Sequence, residues 1–127
     1  MTGKENAINW FEISVTDFNR AKNFYEAVFD IKMAVQNMMG MEMGFFPYDM
    51  GSGKVSGCIC KSEMHKPSQD GVKIYLNGNP DLSVALSNVE KAGGKVTMPK
   101  TKINDEVGFM AFIADTEGNA IGLHSQK

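Results

Sequence analysis

The side chains best suited to chemistry in this sequence are one carboxylate and one imidazole, Glu12 and His124. Alternation over Ile8 to Val15 places Glu12 on one face of a predicted strand, and His124 shares a face of the last predicted strand with Gly122. In a common cavity this pair could move a proton, because imidazole titrates near neutral pH and burial raises the pKa of a carboxylate. The simpler alternative is that Glu12 bonds to backbone or to Lys73, and that His124 lies exposed near the C-terminus.

A second group of residues is suited to holding a small molecule. Trp10 and Tyr75 could form an aromatic wall with a hydrogen-bonding edge, or could belong to the core. Six of the ten methionines, Met43 among them, fall between Met33 and Met50. Thioether side chains adapt to varied shapes, so this stretch indicates either an adaptable binding surface or a loosely filled core. We expect Trp10, Glu12, Lys73, Tyr75, Met43 and His124 to line a ligand site.

The remaining reactive residues show no spacing typical of a metal or redox site. Cys58 and Cys60 stand two apart on a predicted strand, too close for an unstrained disulfide, and we expect buried, inert thiols. His65 lies in a polar connector, where we expect it to be solvated. The two histidines are far apart in sequence, so neither HExxH nor a Cys/His zinc spacing exists.

The elements that position these residues repeat. In the first half, the strand at Ile8 to Val15 runs into a helix that starts at Phe18 with Asp17 as N-cap. Strands are predicted at 32–36, 41–47 and 54–60. After the connector, the second half offers a strand at 72–77 and a helix with Asn79 as cap and Pro80 in its first turn, which stops at Gly93. Its later strands are predicted at 95–99, 108–114 and 120–124, with 115–119 as the last turn.

Both halves therefore have the order βαβββ, over about 7–61 and 71–125, within a single domain spanning 1–127. We predict an α+β fold in which the two modules form curved mixed sheets with a cavity between them.

Composition limits the partners. The chain has 127 residues, 43% of them hydrophobic and 22% charged, which suffices for one core. A net charge of -2 without any basic run argues against a nucleic-acid partner. The longest apolar stretches are far short of a membrane span, so we expect no membrane partner and a cytoplasmic location.

Four segments, FEISVTD at 11–17, RAKNFY at 20–25, GGKV at 93–96 and DTEGN at 115–119, together resemble the vicinal oxygen chelate superfamily. That superfamily includes glyoxalase I, bleomycin and fosfomycin resistance proteins and extradiol dioxygenases. The resemblance covers roughly Ala7 to Ser125 and is closest to the small single-domain bacterial members. It implies a glyoxalase-like domain of paired βαβββ modules, a cavity for a metal or ligand, and frequently a homodimer.

The resemblance also implies where a divalent metal would be held, and three of those four positions hold no metal-ligating residue. The first-strand position falls on Trp10, its counterpart in the second half on Lys73 or Ile74, and the last on Gly122. A fourth, near Cys58 to Lys61, offers only cysteines. We therefore expect no metal site and no cofactor, although a divalent metal with replacement ligands stays open.

Two functions follow as hypotheses. The first is a metal-free small-molecule binding protein of this superfamily, working as a homodimer because eight short strands leave open edges. The alternative is a lyase or isomerase of the glyoxalase kind, or a dioxygenase-like enzyme. It would use Glu12 and His124 with a non-standard metal or none. Whether the protein is an enzyme is left open, because a fold hosts many functions.

Overall fold

A computed structural model describes all residues 1–127 as two four-stranded sheets and two helices. The first half contains β1 (Trp10–Ser14), α1 (Phe18–Phe29), β2 (Ala34–Met38), β3 (Met41–Phe45) and β4 (Ser56–Lys61). The second half contains β5 (Tyr75–Asn77), α2 (Ser83–Val89), β6 (Lys95–Asn104), β7 (Gly108–Ala114) and β8 (Ala120–Ser125). The predicted order βαβββ is thus present twice.

Both sheets are mixed and have the same topology. The first has the strand order β1-β4-β3-β2 and the second β5-β8-β7-β6. The opening strand of each half is parallel to its last strand, and the remaining neighbours are antiparallel. The predicted α+β fold of two βαβββ modules is confirmed, and the opening strand of each module, β1 or β5, lies at one edge of its sheet.

The start and buried face of α1 follow directly from the sequence. The Asp17 carboxylate accepts a hydrogen bond from the Arg20 backbone N–H at 3.0 Å, which confirms the predicted N-cap. The apolar stripe of helical period is buried, with Phe24 and Tyr25 almost fully enclosed. Asp30 ends the helix in the left-handed conformation, and its N–H donates to the Glu26 carbonyl.

The second helix differs from the prediction. Asn79 and Pro80 precede α2 without capping it, and its N-cap position is held by Leu82, which makes no side-chain cap hydrogen bond. The Leu82 backbone N–H instead donates to the Ser125 hydroxyl at 2.9 Å. This contact joins residues 43 positions apart, so local sequence rules do not reveal it. Strand β6 also continues beyond Pro99, with register shifts against β7.

One hydrophobic core serves both halves. The two helices contact each other, and the helix-side residues of both sheets join the same buried cluster. Ile13 and Ile59 enter it from the first sheet, and Ile113 and Leu123 from the second. Each sheet therefore turns one face towards this core and the helices. Its other face points away from both.

Polar contacts from the last turn tie the two halves together. Glu117 accepts hydrogen bonds from the backbone N–H groups of Thr16 and Asp17 at 3.0 and 2.7 Å, and from Arg20 Nε at 2.7 Å. The buried Tyr25 hydroxyl donates to Asp115 at 2.7 Å. The predicted turn at 115–119 is therefore also the junction between the modules. No helix is long and apolar enough to cross a membrane.

Candidate functional site

The candidate site lies on the side of the first sheet that points away from the helices, here called the first-sheet face. The side chains that strand alternation and the register between strands place on it include Trp10, Glu12, Met41, Met43, Phe45, Cys58 and Cys60. Ile13, on the opposite face, is 4% exposed, whereas Trp10 is 37% exposed. The predicted division of β1 into a core face and an open face is confirmed.

Trp10 forms the open aromatic part of this face. Its ring centroid lies 5.8 Å from that of Phe45 and 6.1 Å from that of Tyr48, the latter in an edge-on arrangement. These neighbours orient the indole while leaving part of it exposed. An aromatic surface held in this way can stack on a flat or cationic molecule.

A carboxylate and an imidazole meet beside Trp10, but the imidazole is His65 rather than His124. His65 Nε2 lies 2.8 Å from Glu12 Oε1, and His65 Nδ1 lies 2.7 Å from the Ser62 hydroxyl. The His65 side chain is only 12% exposed, so the expectation of a solvated histidine is wrong. Through these contacts the connector folds back over the first sheet. No local sequence pattern predicts this arrangement. Glu12 bonds neither to backbone nor to Lys73 in this arrangement.

The two cysteines lie beneath this pair as free, fully buried thiols packed with Met43. Cys58 Sγ is 4.0 Å from Glu12 Oε2. Burial, followed by the charge of Glu12, raises the pKa of Cys58 to about 12 and also raises the pKa of Cys60. Both thiols are therefore protonated at neutral pH in the protein alone, which makes them poor nucleophiles.

His124 and Tyr75 belong to the second sheet, so the expected pairing of Glu12 with His124 is not formed. His124 Nε2 donates to the Val107 carbonyl at 2.6 Å, which fixes the imidazole against the β6–β7 turn. Tyr75 packs on Phe112 with ring centroids 5.5 Å apart. The shared core lies between the two sheets, so one chain does not bring these faces together.

A cavity of about 920 Å³ does lie between the halves, but its walls differ from those expected. Lys73 and Tyr75 line it, together with helix-side residues such as Phe11 and Val28. Trp10, Glu12, Met43 and His124 are not among its lining residues. The expected ligand set is therefore divided, because alternation along β1 sends Phe11 and Trp10 to opposite faces. The Lys73 ammonium donates to the Gln69 carbonyl.

Three of the four usual metal-ligand positions implied by the resemblance do not fit a metal. Trp10 and Ile74 carry no ligand atom suited to a divalent ion, and the Lys73 ammonium is a donor only. At Gly122 even a Cβ atom would lie 2.6 Å from the Tyr75 ring, so no ligating side chain can be accommodated beside it. A metal held in the usual way therefore has no support in this chain.

The sequence matches the Glyoxalase/Bleomycin resistance protein/Dioxygenase superfamily over residues 7–123. It is 29% identical over 118 residues to the "Putative glyoxylase CFP32" of Mycobacterium bovis, covering 91% of this chain and 44% of that protein. The chain thus spans less than half the length of that curated relative.

Two solved structures share the fold. TnmS3, an antibiotic binding protein from Streptomyces sp. CB03234, has a TM-score of 0.64 and 19% identity, covering 96% of this chain and 97% of TnmS3. A glyoxalase I mutant from Zea mays has a TM-score of 0.71 and 17% identity, covering 93% of this chain and 44% of that one. Sequence match and fold agree, and the chain belongs to the glyoxalase, bleomycin resistance protein and dioxygenase superfamily.

Proposed function

We propose that this protein binds a small, partly aromatic molecule on the first-sheet face, without a metal at the superfamily's usual positions. The observation that carries the proposal is the exposed Trp10 ring beside the hydrogen-bonded Glu12 and His65. A flat molecule stacked on the indole would place a polar or cationic group at the Glu12 carboxylate. The antibiotic-binding function of TnmS3 is in keeping with such a role.

The proposal includes a homodimer. Strands β1 and β5 are both edges, and Trp10 and Tyr75, the first residue of each, are 37% and 49% exposed. A two-fold partner would cover these edges and could bring the Tyr75 and His124 side of its second sheet to the first-sheet face. Lys73 and Tyr75 would then border the ligand from the second sheet. The two free thiols are suited to a reducing, cytoplasmic location.

The second candidate is a lyase or isomerase of the glyoxalase kind, and the hydrogen bond between Glu12 and His65 favours it. A carboxylate held by an imidazole can remove a proton from carbon next to a carbonyl group. This assigns to His65 the role that sequence reasoning gave to His124. Its assay is the exchange of carbon-bound hydrogen for deuterium in small hydroxycarbonyl compounds, which Glu12→Gln should slow by about 100-fold or more.

A thermal-shift screen of small aromatic and oxyanion metabolites tests the binding proposal. Compounds that raise the melting temperature of wild type should have no effect on Trp10→Ala and a weaker effect on Glu12→Gln, since each variant removes a contact from the first-sheet face. The matched control is Val84→Trp, which places a bulky ring at the cavity between the halves, where Val84 is largely exposed.

The control variant should respond to the same compounds as wild type. The opposite pattern, in which Val84→Trp abolishes the shift and Trp10→Ala retains it, would move the binding site to the cavity between the halves and refute the proposal.

A further inference from the structure

Three potential metal ligands of different chemical type converge on the first-sheet face. A carboxylate oxygen of Glu12, the Sγ atom of Cys60 and a ring nitrogen of His65 all lie within 4.8 Å of one another. They come from β1, from β4 and from the connector between the halves, so folding alone brings them together. Cys60 lies within the fourth usual position, near Cys58 to Lys61, whereas Glu12 and His65 lie outside all four.

This ligand set is suited to zinc. Zn²⁺ binds thiolate, imidazole and carboxylate, and three protein ligands with one open position are typical of its reactive sites. Magnesium and calcium prefer oxygen ligands alone, and the buried Cys60 sulfur disfavours them. The chemical types of Glu12, Cys60 and His65 therefore favour a divalent ion of intermediate hardness, such as zinc.

The surroundings of His65 are those of a metal-bound histidine. Ligating histidines usually donate their other ring N–H to an oxygen, which fixes the tautomer. When a metal replaces the proton on Nε2, the Ser62 hydroxyl, 2.7 Å from His65 Nδ1, is placed to accept the remaining N–H. Nε2 faces Glu12 Oε1 at 2.8 Å, and ligand atoms on a tetrahedral zinc are about 3.4 Å apart, so small side-chain rotations suffice.

We propose that Glu12, Cys60 and His65 bind one Zn²⁺ ion, leaving a fourth coordination position open towards the first-sheet face. The Cys60 thiol would lose its proton to solvent on binding, so the affinity should fall as the pH is lowered. The site does not depend on the proposed binding of an organic molecule, because the three ligands are complete within one chain.

The direct test uses the chain of residues 1–127 without a polyhistidine tag, stripped with a chelator and titrated with Zn²⁺ and with Co²⁺ alone. We expect one ion per chain, a rise in melting temperature, and a Co²⁺ spectrum with a thiolate-to-metal charge-transfer band and tetrahedral d–d bands. Wild type that binds neither ion, or binds Co²⁺ without the charge-transfer band, would overturn the proposal.

Variants identify the ligands. His65→Gln and Cys60→Ser should each weaken Zn²⁺ binding at least tenfold, and Cys60→Ser should also lose the charge-transfer band. The matched control is His124→Gln, which alters the histidine of the second sheet and should bind Zn²⁺ as wild type does. Because Cys60 is fully buried and the His65 side chain is only 12% exposed, melting curves without metal check that both variants fold. Undiminished binding by a folded His65→Gln variant would refute the site.

Discussion

Replacing Glu117 with Gln should destabilise the protein in a way that depends on pH. Burial of this carboxylate favours its neutral form. Hydrogen bonds from Arg20, the Asp17 N–H, the Thr116 hydroxyl and the Thr16 N–H outweigh that effect and lower its pKa to about 2. Glutamine keeps the shape but removes the charge and one acceptor oxygen, so the backbone donors lose a charged partner.

The size of the effect follows from the pKa difference. Glutamate in an unfolded chain titrates at about 4.3, so a folded value near 2 corresponds to at most about 3 kcal/mol of stability. Arg20 is half-exposed, and solvent screening reduces this to about 2 kcal/mol. A lowered folded pKa means that the contribution is complete above the unfolded pKa. It is then lost as the pH falls from about 4.3 towards 2.

Urea unfolding of wild type and Glu117→Gln at pH 7 and at pH 3 measures this contribution. We expect a difference of about 2 kcal/mol at pH 7 that shrinks to under about 1 kcal/mol at pH 3, with Glu63→Gln, at an exposed position, as control. A difference that is the same at both pH values would refute the assignment of Glu117 as an ionised link between the halves.

Three further outcomes are expected. Ile13→Ala should cost about 2 to 5 kcal/mol in chemical denaturation because it leaves a void in the core, and Trp10→Ala should cost clearly less; equal costs would contradict the two-faced β1 strand. Tyr25→Phe should cost about 1 to 3 kcal/mol, since it removes the buried donor to Asp115; an unchanged unfolding midpoint would contradict that. Light scattering at micromolar protein concentration should give a molar mass of twice 13.9 kDa, and a molar mass of only 13.9 kDa would reject the homodimer.

The parts of the fold that the sequence predicts well are governed by local rules. The N-cap at Asp17, the buried stripe of α1 and the exact bounds of β7 follow from capping and periodicity. The repeat of βαβββ follows from the order of such patterns, and strand alternation correctly separates Trp10 from Ile13.

The parts it misses are governed by distant contacts. His65 lies in a segment without periodicity, and its position is fixed by Glu12, 53 residues away. The start of α2 depends on Ser125, and the role of Glu117 depends on Thr16 and Arg20 in the other half. The sequence therefore predicts only part of the candidate site. Trp10, Glu12 and Met43 lie on the first-sheet face, while the hydrogen-bond partner of Glu12 could not be deduced from the sequence.

The fluorescence of Trp10, the single tryptophan, reports directly on whether the first-sheet face holds the ligand. A compound that stabilises the wild-type protein should change Trp10 emission in a saturable manner, and Glu12→Gln should weaken the apparent affinity at least tenfold. Val84→Trp adds a second indole and is therefore left out of this titration. A stabilising compound that leaves Trp10 emission unchanged, and binds Glu12→Gln as tightly as wild type, would show that the ligand binds away from the first-sheet face.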